Sequence, residues 1–259
     1  MARSGAARRG VAIVALAVFV AVLAGCSGES GQATLGKRVD ASTTTAAPTT
    51  TTPSWQSYAA RANGATIKIY DAPSDAQPKM ELPNPWVYDP DYPDQTIPQV
   101  FLVEKLQGDW TQVLLPVRPN GSTGWVRTAD VTISPNPFHV RVELAAHKIT
   151  VTKEDQTIYT GTVAIGKPST PTPTGNYYLR ILIKTIDPSS VYGPYAYGLS
   201  SHSEALDTFA GGDAEIGIHG NNDASVLGSD VTSGCVRMDN DAITNLTKQL
   251  PLGTPVDIS

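Results

Sequence analysis

The sequence predicts a mainly β chain: two blocks of short strands in series, with one or two short helices. Three observations carry that expectation. First, "ATIKIYDAP", "QVFLVEKLQGDWTQVLLPV" and "TGWVRTADVTI" are rich in β-branched and aromatic residues, alternate in part, and are broken by Gly, Asp and Pro. Second, "FHVRVELAAHKITVTKEDQTIYTGTVAIG" sets Val140, Val142 and Leu144, then Ile149 and Val151, against polar neighbours. Thr162 then alternates with Val163 and Ile165, and "GNYYLRILIKTI" continues in the same texture. Antiparallel strands joined by polar turns such as "KEDQ" read this way. Third, helix signals are scarce. The one fair helix is "NDAITNLTKQL", with Asn240 or Asp241 as N-cap and Ile243, Leu246 and Leu250 at helical spacing.

In chain order, residues 1–25 have the make-up of an export signal. "MARSGAARRG" carries three arginines and no acid, and an apolar run from Val11 to Gly25 follows. That run is shorter than the ~20 residues a membrane-spanning helix needs. "LAGC", Leu23 to Cys26, resembles a bacterial lipobox. The resemblance implies cleavage before Cys26 and a lipid on its thiol, so the protein would be exported and anchored to the outer face of the bacterial cytoplasmic membrane. Residues 26–54 form a Thr/Pro/Ala-rich stretch with few large apolar side chains. Such a stretch cannot bury enough surface to offset its ordering entropy, so it is expected to be a disordered tether. The net charge of −5 and pI near 5.3 argue against nucleic acid and against anionic membrane surfaces as partners. Attachment would come from the lipid.

Residues 55–134 form the first block. "GDWTQVLLP" followed by "GWVRTADV" resembles the second half of a bacterial SH3-like barrel. Ser74 to Pro98 is proline-rich and long for a loop. Its Trp86, Tyr88 and Tyr92 either bind a glycan or peptide or cover the open end of the barrel, the second being the preferred reading. "SPNP", Ser134 to Pro137, reads as a run of turn formers closing this block. The second block spans residues 138–259. His139 and His147 within it read as ordinary strand residues.

The chemistry concentrates in "EIGIHGNNDASVLGSDVTSGCVRMDND", Glu215 to Asp241. With Cys26 taken by a lipid, Cys235 is a leftover thiol in an oxidising compartment. It is either reactive or a buried, inert residue. Thiol chemistry needs a thiolate, a base and donors for an oxyanion. His219 ends an apolar run that can hold an imidazole still. Gly220 lets the chain fold back, and Gly234 lets successive N–H groups converge beside Cys235. A histidine and a cysteine this far apart are weak evidence by themselves.

The full pattern is more specific. "IHG" followed by "TSGCVRMDN", with "STPTPTGNYYL" upstream, resembles the L,D-transpeptidase (YkuD-type) catalytic domain over about His139 to Ser259. Ser233 departs from it, since many members carry a second histidine there. The resemblance implies a β-sandwich catalytic domain in which the Cys235 thiolate attacks the diaminopimelate carbonyl of a peptidoglycan donor tetrapeptide. A thioester forms, an acceptor stem takes it, and a 3→3 crosslink results. It also implies His219 as base, oriented by a neighbouring backbone carbonyl, and the N–H groups of Ser233, Gly234 and Cys235 as the oxyanion hole. Gly220, Asn240 and Tyr197 are implied substrate contacts. Arg237 either fixes the loop in a salt bridge or holds a substrate carboxylate. "YGPYAYGLSSHS", with Tyr195, Tyr197 and His202, falls where the family places a lid, and His202 reads as part of a mobile surface. No metal or other cofactor is expected, because one cysteine and one well-placed histidine do not make a metal site. Carbapenems are expected to acylate Cys235. An L,D-carboxypeptidase on the same site and a non-catalytic wall-binding lipoprotein remain the alternatives.

Overall fold

The computed structural model describes residues 56–88, 94–209 and 212–259. The export signal, Cys26, the tether, Trp55 and Tyr92 lie outside the described residues. Among those described, no helix is long and apolar enough to cross a membrane.

The first block contains β1 (Ser57–Ala62), β2 (Thr66–Ile69), β3 (Met80–Pro83), β4 (Trp86–Val87), β5 (Thr96–Ile97), β6 (Val100–Gln107), β7 (Trp110–Leu114), β8 (Thr123–Arg127) and β9 (Val131–Asn136). Five of them form a sheet in the order β8-β7-β6-β1-β9, and β2–β3 and β4–β5 are separate pairs. Alternation sets the inner face. In β2, Ile67 and Ile69 are buried while Thr66 and Lys68 are exposed. Gly108, at φ +57°, allows the short connection that brings Trp110 back opposite Gln107. Trp110 then packs edge-on to Tyr70 with the Arg127 guanidinium 4.0 Å above its ring.

"SPNP" does not form a turn. Ser134, Pro135 and Asn136 belong to β9, opposite Ala59, Tyr58 and Ser57. β9 is the outer strand of its sheet, where a proline without an N–H is tolerated. Asn136 is buried and donates to Thr254 Oγ1 at 3.0 Å, which ties that edge to the second block.

The second block contains β10 (Phe138–Glu143), β11 (Lys148–Lys153), β12 (Gln156–Thr162), β13 (Ile165–Gly166), β14 (Gly175–Lys184), β15 (Tyr195–His202), β16 (Glu215–His219), β17 (Asp230–Thr232), β18 (Val236–Arg237), α1 (Asn240–Leu246) and β19 (Pro255–Ile258). Eight strands form one sheet, β12-β11-β10-β19-β14-β15-β16-β18. Its core includes Val140, Val151, Leu179, Leu199, Ile218 and Met238, with Ile243 and Leu246 of α1 laid against it. The N-cap of α1 is Asp239, whose carboxylate accepts from Ala242 N at 2.9 Å. It is not Asn240 or Asp241, because the Asn240 amide is drawn away to Asn221. His139 lies on β10 and bonds Asp257 at 2.7 Å. His147 is not a strand residue: it ends a short 3-10 turn at φ +48° and bonds Asp230 at 2.6 Å.

The two blocks share contacts throughout. Tyr178 of β14 is fully buried in the first block's core. Asn120 mimics a strand edge, donating to His202 O at 2.8 Å and accepting from His202 N at 2.9 Å. Arg118 donates to the carbonyls of Ser203, Leu206 and Asp213.

Candidate active site

β16 alternates. Ile216 and Ile218 enter the core, so Glu215, Gly217 and His219 face the other way. β18 runs parallel beside it, with Ile218 opposite Val236 and His219 opposite Arg237. Val236 is buried, which places Cys235 next to Gly217. The Gly217 N–H donates to the Cys235 sulfur at 3.3 Å. A Cβ on Gly217 would stand 3.9 Å from that sulfur and 3.8 Å from His219 Cδ2. The thiol and the Cδ2–Nε2 edge of the imidazole therefore open on the same glycine.

The histidine is fixed in one tautomer. Its Nδ1 lies 2.7 Å from Gly220 O. A carbonyl only accepts, so Nδ1 carries the proton and Nε2 keeps its lone pair. Burial pushes the imidazole down to about 4, opposed by the Gly220 bond and reinforced by Arg237. Burial also raises the Cys235 thiol, against the Gly217 N–H and the Arg237 charge, which lower it. At neutral pH the resting pair is a neutral thiol beside a neutral imidazole. Such a pair can move the sulfur's proton to Nε2 as the sulfur attacks.

The cysteine loop is braced by threonines. Thr232 Oγ1 donates to Cys235 O at 2.6 Å and accepts from Gly234 N at 3.1 Å. Thr172 Oγ1 donates to Gly234 O at 2.8 Å, and Thr170 Oγ1 to Thr232 O at 3.1 Å. Gly234 sits at φ +122°, a conformation that requires glycine. Its N–H is already taken by Thr232, which removes it from the expected set of oxyanion donors. The N–H groups of Ser233 and Cys235 have no hydrogen-bond partner among the described residues.

Several expected contacts have other duties. Tyr197 is 1% exposed, and its hydroxyl donates to Leu250 O at 2.9 Å, so it is a core residue and cannot touch a substrate. Tyr195 to His202 form β15 and not a lid. His202 is 1% exposed at the junction of the two blocks, not on a mobile surface. Gly220 is buried, and its carbonyl holds His219. Asn240 accepts from Asn221 N at 2.8 Å and donates to Asn221 O at 2.9 Å, so both halves of its amide clamp the loop after His219. Arg237 has no carboxylate partner among the described residues, and its Nε is buried without a bond. Trp86 carries the Arg180 guanidinium 4.2 Å above its ring.

Thr232 and Thr172 lie within the motifs "TSGCVRMDN" and "STPTPTGNYYL", whereas Gly217 and Tyr192 have no role assigned from the sequence. Tyr192 comes from the β14–β15 connection and sets its ring 5.0 Å from that of His219. Burial and the proximity of Cys235 raise its phenol. Its signal was an aromatic residue just before Gly193-Pro194. The signal for Gly217 was a glycine two positions before the histidine, on the same strand face.

A family model described as the L,D-transpeptidase catalytic domain matches residues 137–258. The protein YkuD of Bacillus subtilis (strain 168) is 30% identical over 155 residues, covering 58% of this chain and 86% of that protein. YkuD of Bacillus licheniformis is 29% identical over 155 residues, covering 57% and 86%. Among solved structures, an L,D-transpeptidase from Mycobacterium smegmatis aligns at TM-score 0.40 and 14% identity, over 62% of this chain and 90% of that one.

Proposed function

The chain belongs to the YkuD-type L,D-transpeptidase family, and on that premise we propose that it joins peptidoglycan stem peptides through a thioester on Cys235. The observation that carries this reading is the tautomer lock. Gly220 O holds the Nδ1 proton of His219, which leaves Nε2 as a base on the face where the Cys235 sulfur opens.

In the first half-reaction, Cys235 Sγ attacks the diaminopimelate carbonyl of a donor tetrapeptide while its proton passes to His219 Nε2. The N–H groups of Ser233 and Cys235 receive the oxyanion. The C–N bond breaks, and the departing D-alanine amine takes the proton from His219. In the second half, an acceptor side-chain amine gives its proton to Nε2 and attacks the thioester. The C–S bond breaks, the sulfur recovers the proton, and a 3→3 crosslink remains. Arg237, with its spare Nε, attracts the anionic stem toward the thiol. A carbapenem acylates the same sulfur, because its strained carbonyl presents the same electrophile and its nitrogen stays tethered. The membrane anchor through Cys26, the tether that follows and an SH3-like role for the first block belong to the same reading, of an exported lipoprotein working on the wall.

Product analysis tests it. The full chain is incubated with a purified tetrapeptide donor, with and without an acceptor stem, and products are identified by mass spectrometry. Released D-alanine and a dimer one D-alanine lighter are expected. Tripeptide without dimer would assign hydrolysis instead. No D-alanine release at all would remove both and leave a wall-binding lipoprotein.

A further inference from the structure

The connection between β14 and β15, residues 185–194, lies beside the catalytic pair and takes no part in the chemistry above. It is closed on itself by hydrogen bonds. At its base, Thr185 N donates to Pro194 O at 3.1 Å, and the Thr185 hydroxyl donates to Gly193 O. At its tip, the Asp187 carboxylate accepts from Ser189 N at 2.9 Å and from Ser189 Oγ at 2.6 Å. Ser190 N donates to Asp187 O at 3.1 Å, and Gly193 N to Ser190 O at 2.9 Å. Side-chain and backbone turns of this kind give a short connection a preferred shape.

Its last turn is pressed against the loop that anchors His219. Gly193 is buried at φ +64°, and a Cβ there would stand 2.7 Å from Gly220 Cα, 2.7 Å from Asn221 N and 2.4 Å from Asn240 Oδ1. No side chain fits, so the two backbones meet directly. Tyr192 precedes this contact and sets its ring 5.0 Å from the imidazole, tilted by 60°. The histidine is 3% exposed and the tyrosine 36%, so the phenol ring is the outer layer and the imidazole the inner one. The phenol also lies within electrostatic reach of Cys235 and Arg237, so the side chain runs from the imidazole toward the thiol. Tyr192 is not among the residues packed on either hydrophobic core, so core packing does not account for its place. Resting on the proposed stem-peptide function, we infer that Tyr192 is a specificity-determining residue: its ring shields the His219–Cys235 pair from water and directs the thioester toward an amine acceptor and away from hydrolysis.

Both fates of the thioester use the same base. In transfer, the acceptor amine gives its proton to Nε2 and attacks the carbonyl. In hydrolysis, a water does the same. The C–S bond breaks, the sulfur takes the proton back, and the tripeptide leaves with a free carboxylate. His219 does not tell the two nucleophiles apart. Access does: water reaches any open edge of the imidazole, whereas an acceptor amine arrives held by the rest of its stem peptide. A ring laid over the imidazole closes the first route and leaves the second.

The test reads a product ratio on the full chain, so a general loss of acylation divides out. Wild-type protein with tetrapeptide donor and excess acceptor stem is expected to give mainly dimer. Tyr192→Ala should raise the ratio of tripeptide to dimer by about 10-fold. Tyr192→Phe keeps the ring and should leave the ratio within about twofold, with Tyr192→Leu in between. The acid limb of kcat/KM for D-alanine release gives a second readout. Burial holds the His219 imidazole at about 4. Loss of the ring should admit water and move that limb up by about one pH unit. The neighbouring groups do not supply this shift. Arg237 keeps its charge, Cys235 and Tyr192 are neutral over that range, and Glu215, two residues back on β16, is paired with Arg180.

If Tyr192→Ala loses its native circular dichroism, Tyr192→Leu against Tyr192→Phe carries the same comparison. An unchanged ratio, or an unchanged acid limb, in the folded variant overturns the inference and leaves the transpeptidase intact. So does a Tyr192→Phe variant that hydrolyses as much as Tyr192→Ala, since the ring is then not the barrier. Tripeptide alone from the wild type shows that the ring excludes no water and overturns it as well. No D-alanine release from the wild type overturns the parent function and this inference together.

Discussion

Two histidines occupy opposite ends of the β15–β16 pair. His202 ends β15 opposite Glu215, and His219 ends β16 opposite Ala196. Both are nearly sealed from solvent, at 1% and 3% exposure. Burial is the leading cause that lowers the basicity of each. They differ in how their nitrogens are used. His219 has one nitrogen committed to a backbone carbonyl and the other presented toward a thiol. His202 has Nε2 at 3.2 Å from Asp213, Nδ1 buried without a partner, and its backbone gripped by Asn120. Burial alone therefore does not make a catalytic base. One nitrogen must be anchored so that the other is delivered at a fixed angle. His202 holds two blocks together, whereas His219 holds a lone pair in place.

The largest effects should fall on the His219 end. Cys235→Ala should lower D-alanine release at least ~10³-fold, and Cys235→Ser nearly as far, because a hydroxyl yields its proton less readily than a thiol. His219→Ala should cost about 10²–10⁴-fold in kcat. His202→Ala should keep kcat within about fivefold and lower stability by ~1–3 kcal/mol in urea titration. Equal kinetic losses at the two histidines would erase the distinction.

Gly220→Ala tests the anchor itself. The new Cβ would meet Asn240 Oδ1 at 2.2 Å and Pro194 Cδ at 2.9 Å, so the loop and the carbonyl on His219 must shift. A displacement near 1 Å should lower kcat by about 10²-fold. Unchanged kcat in a folded variant would show that the lock is dispensable.

Protonation offers a subtler probe. The folded His219 imidazole sits at about 4 against an ordinary 6.5. As pH falls, the unfolded chain binds the proton first, so stability is full above pH ~6.5 and drains toward pH 4. At pH 5 the loss should be about 2 kcal/mol. His202 contributes in the same direction. The informative quantity is therefore the wild-type drop in Tm from pH 7 to 5 minus that of His219→Gln. A difference of zero would mean that His219 is not held neutral by burial. The smallest effect belongs to the junction: Asn120→Ala should cost ~1–2 kcal/mol for two lost hydrogen bonds and leave kcat nearly unchanged.

The sequence disclosed the strands because their faces alternate, and it disclosed His219 and Cys235 because the residues around them form a dense motif. It misled where tertiary partners override local chemistry. Pro135 signalled a turn, yet it lies on an edge strand that asks no N–H of it. Asn240 looked like a cap or a substrate contact, yet a loop nineteen residues upstream claims its whole amide. Tyr197 read as a substrate contact and His202 as mobile surface, but a buried carbonyl takes the Tyr197 hydroxyl and Asn120 of the first block holds the His202 backbone. Nothing local records such long-range partners. Gly217 and Tyr192 act through proximity, one by lacking a side chain and one by leaning in from a loop, so the glycine before His219 and the aromatic before Gly193-Pro194 were weak signals that did not name their partners.

The most direct measurement is acyl-enzyme trapping. The full chain is mixed with donor tetrapeptide in the absence of acceptor, quenched in acid, and examined by intact mass and peptide mapping. The proposed chemistry predicts a gain equal to the donor minus D-alanine, on the peptide holding Cys235, released by hydroxylamine and lost in Cys235→Ala. An adduct on another residue, or D-alanine release undiminished in Cys235→Ala, would contradict it.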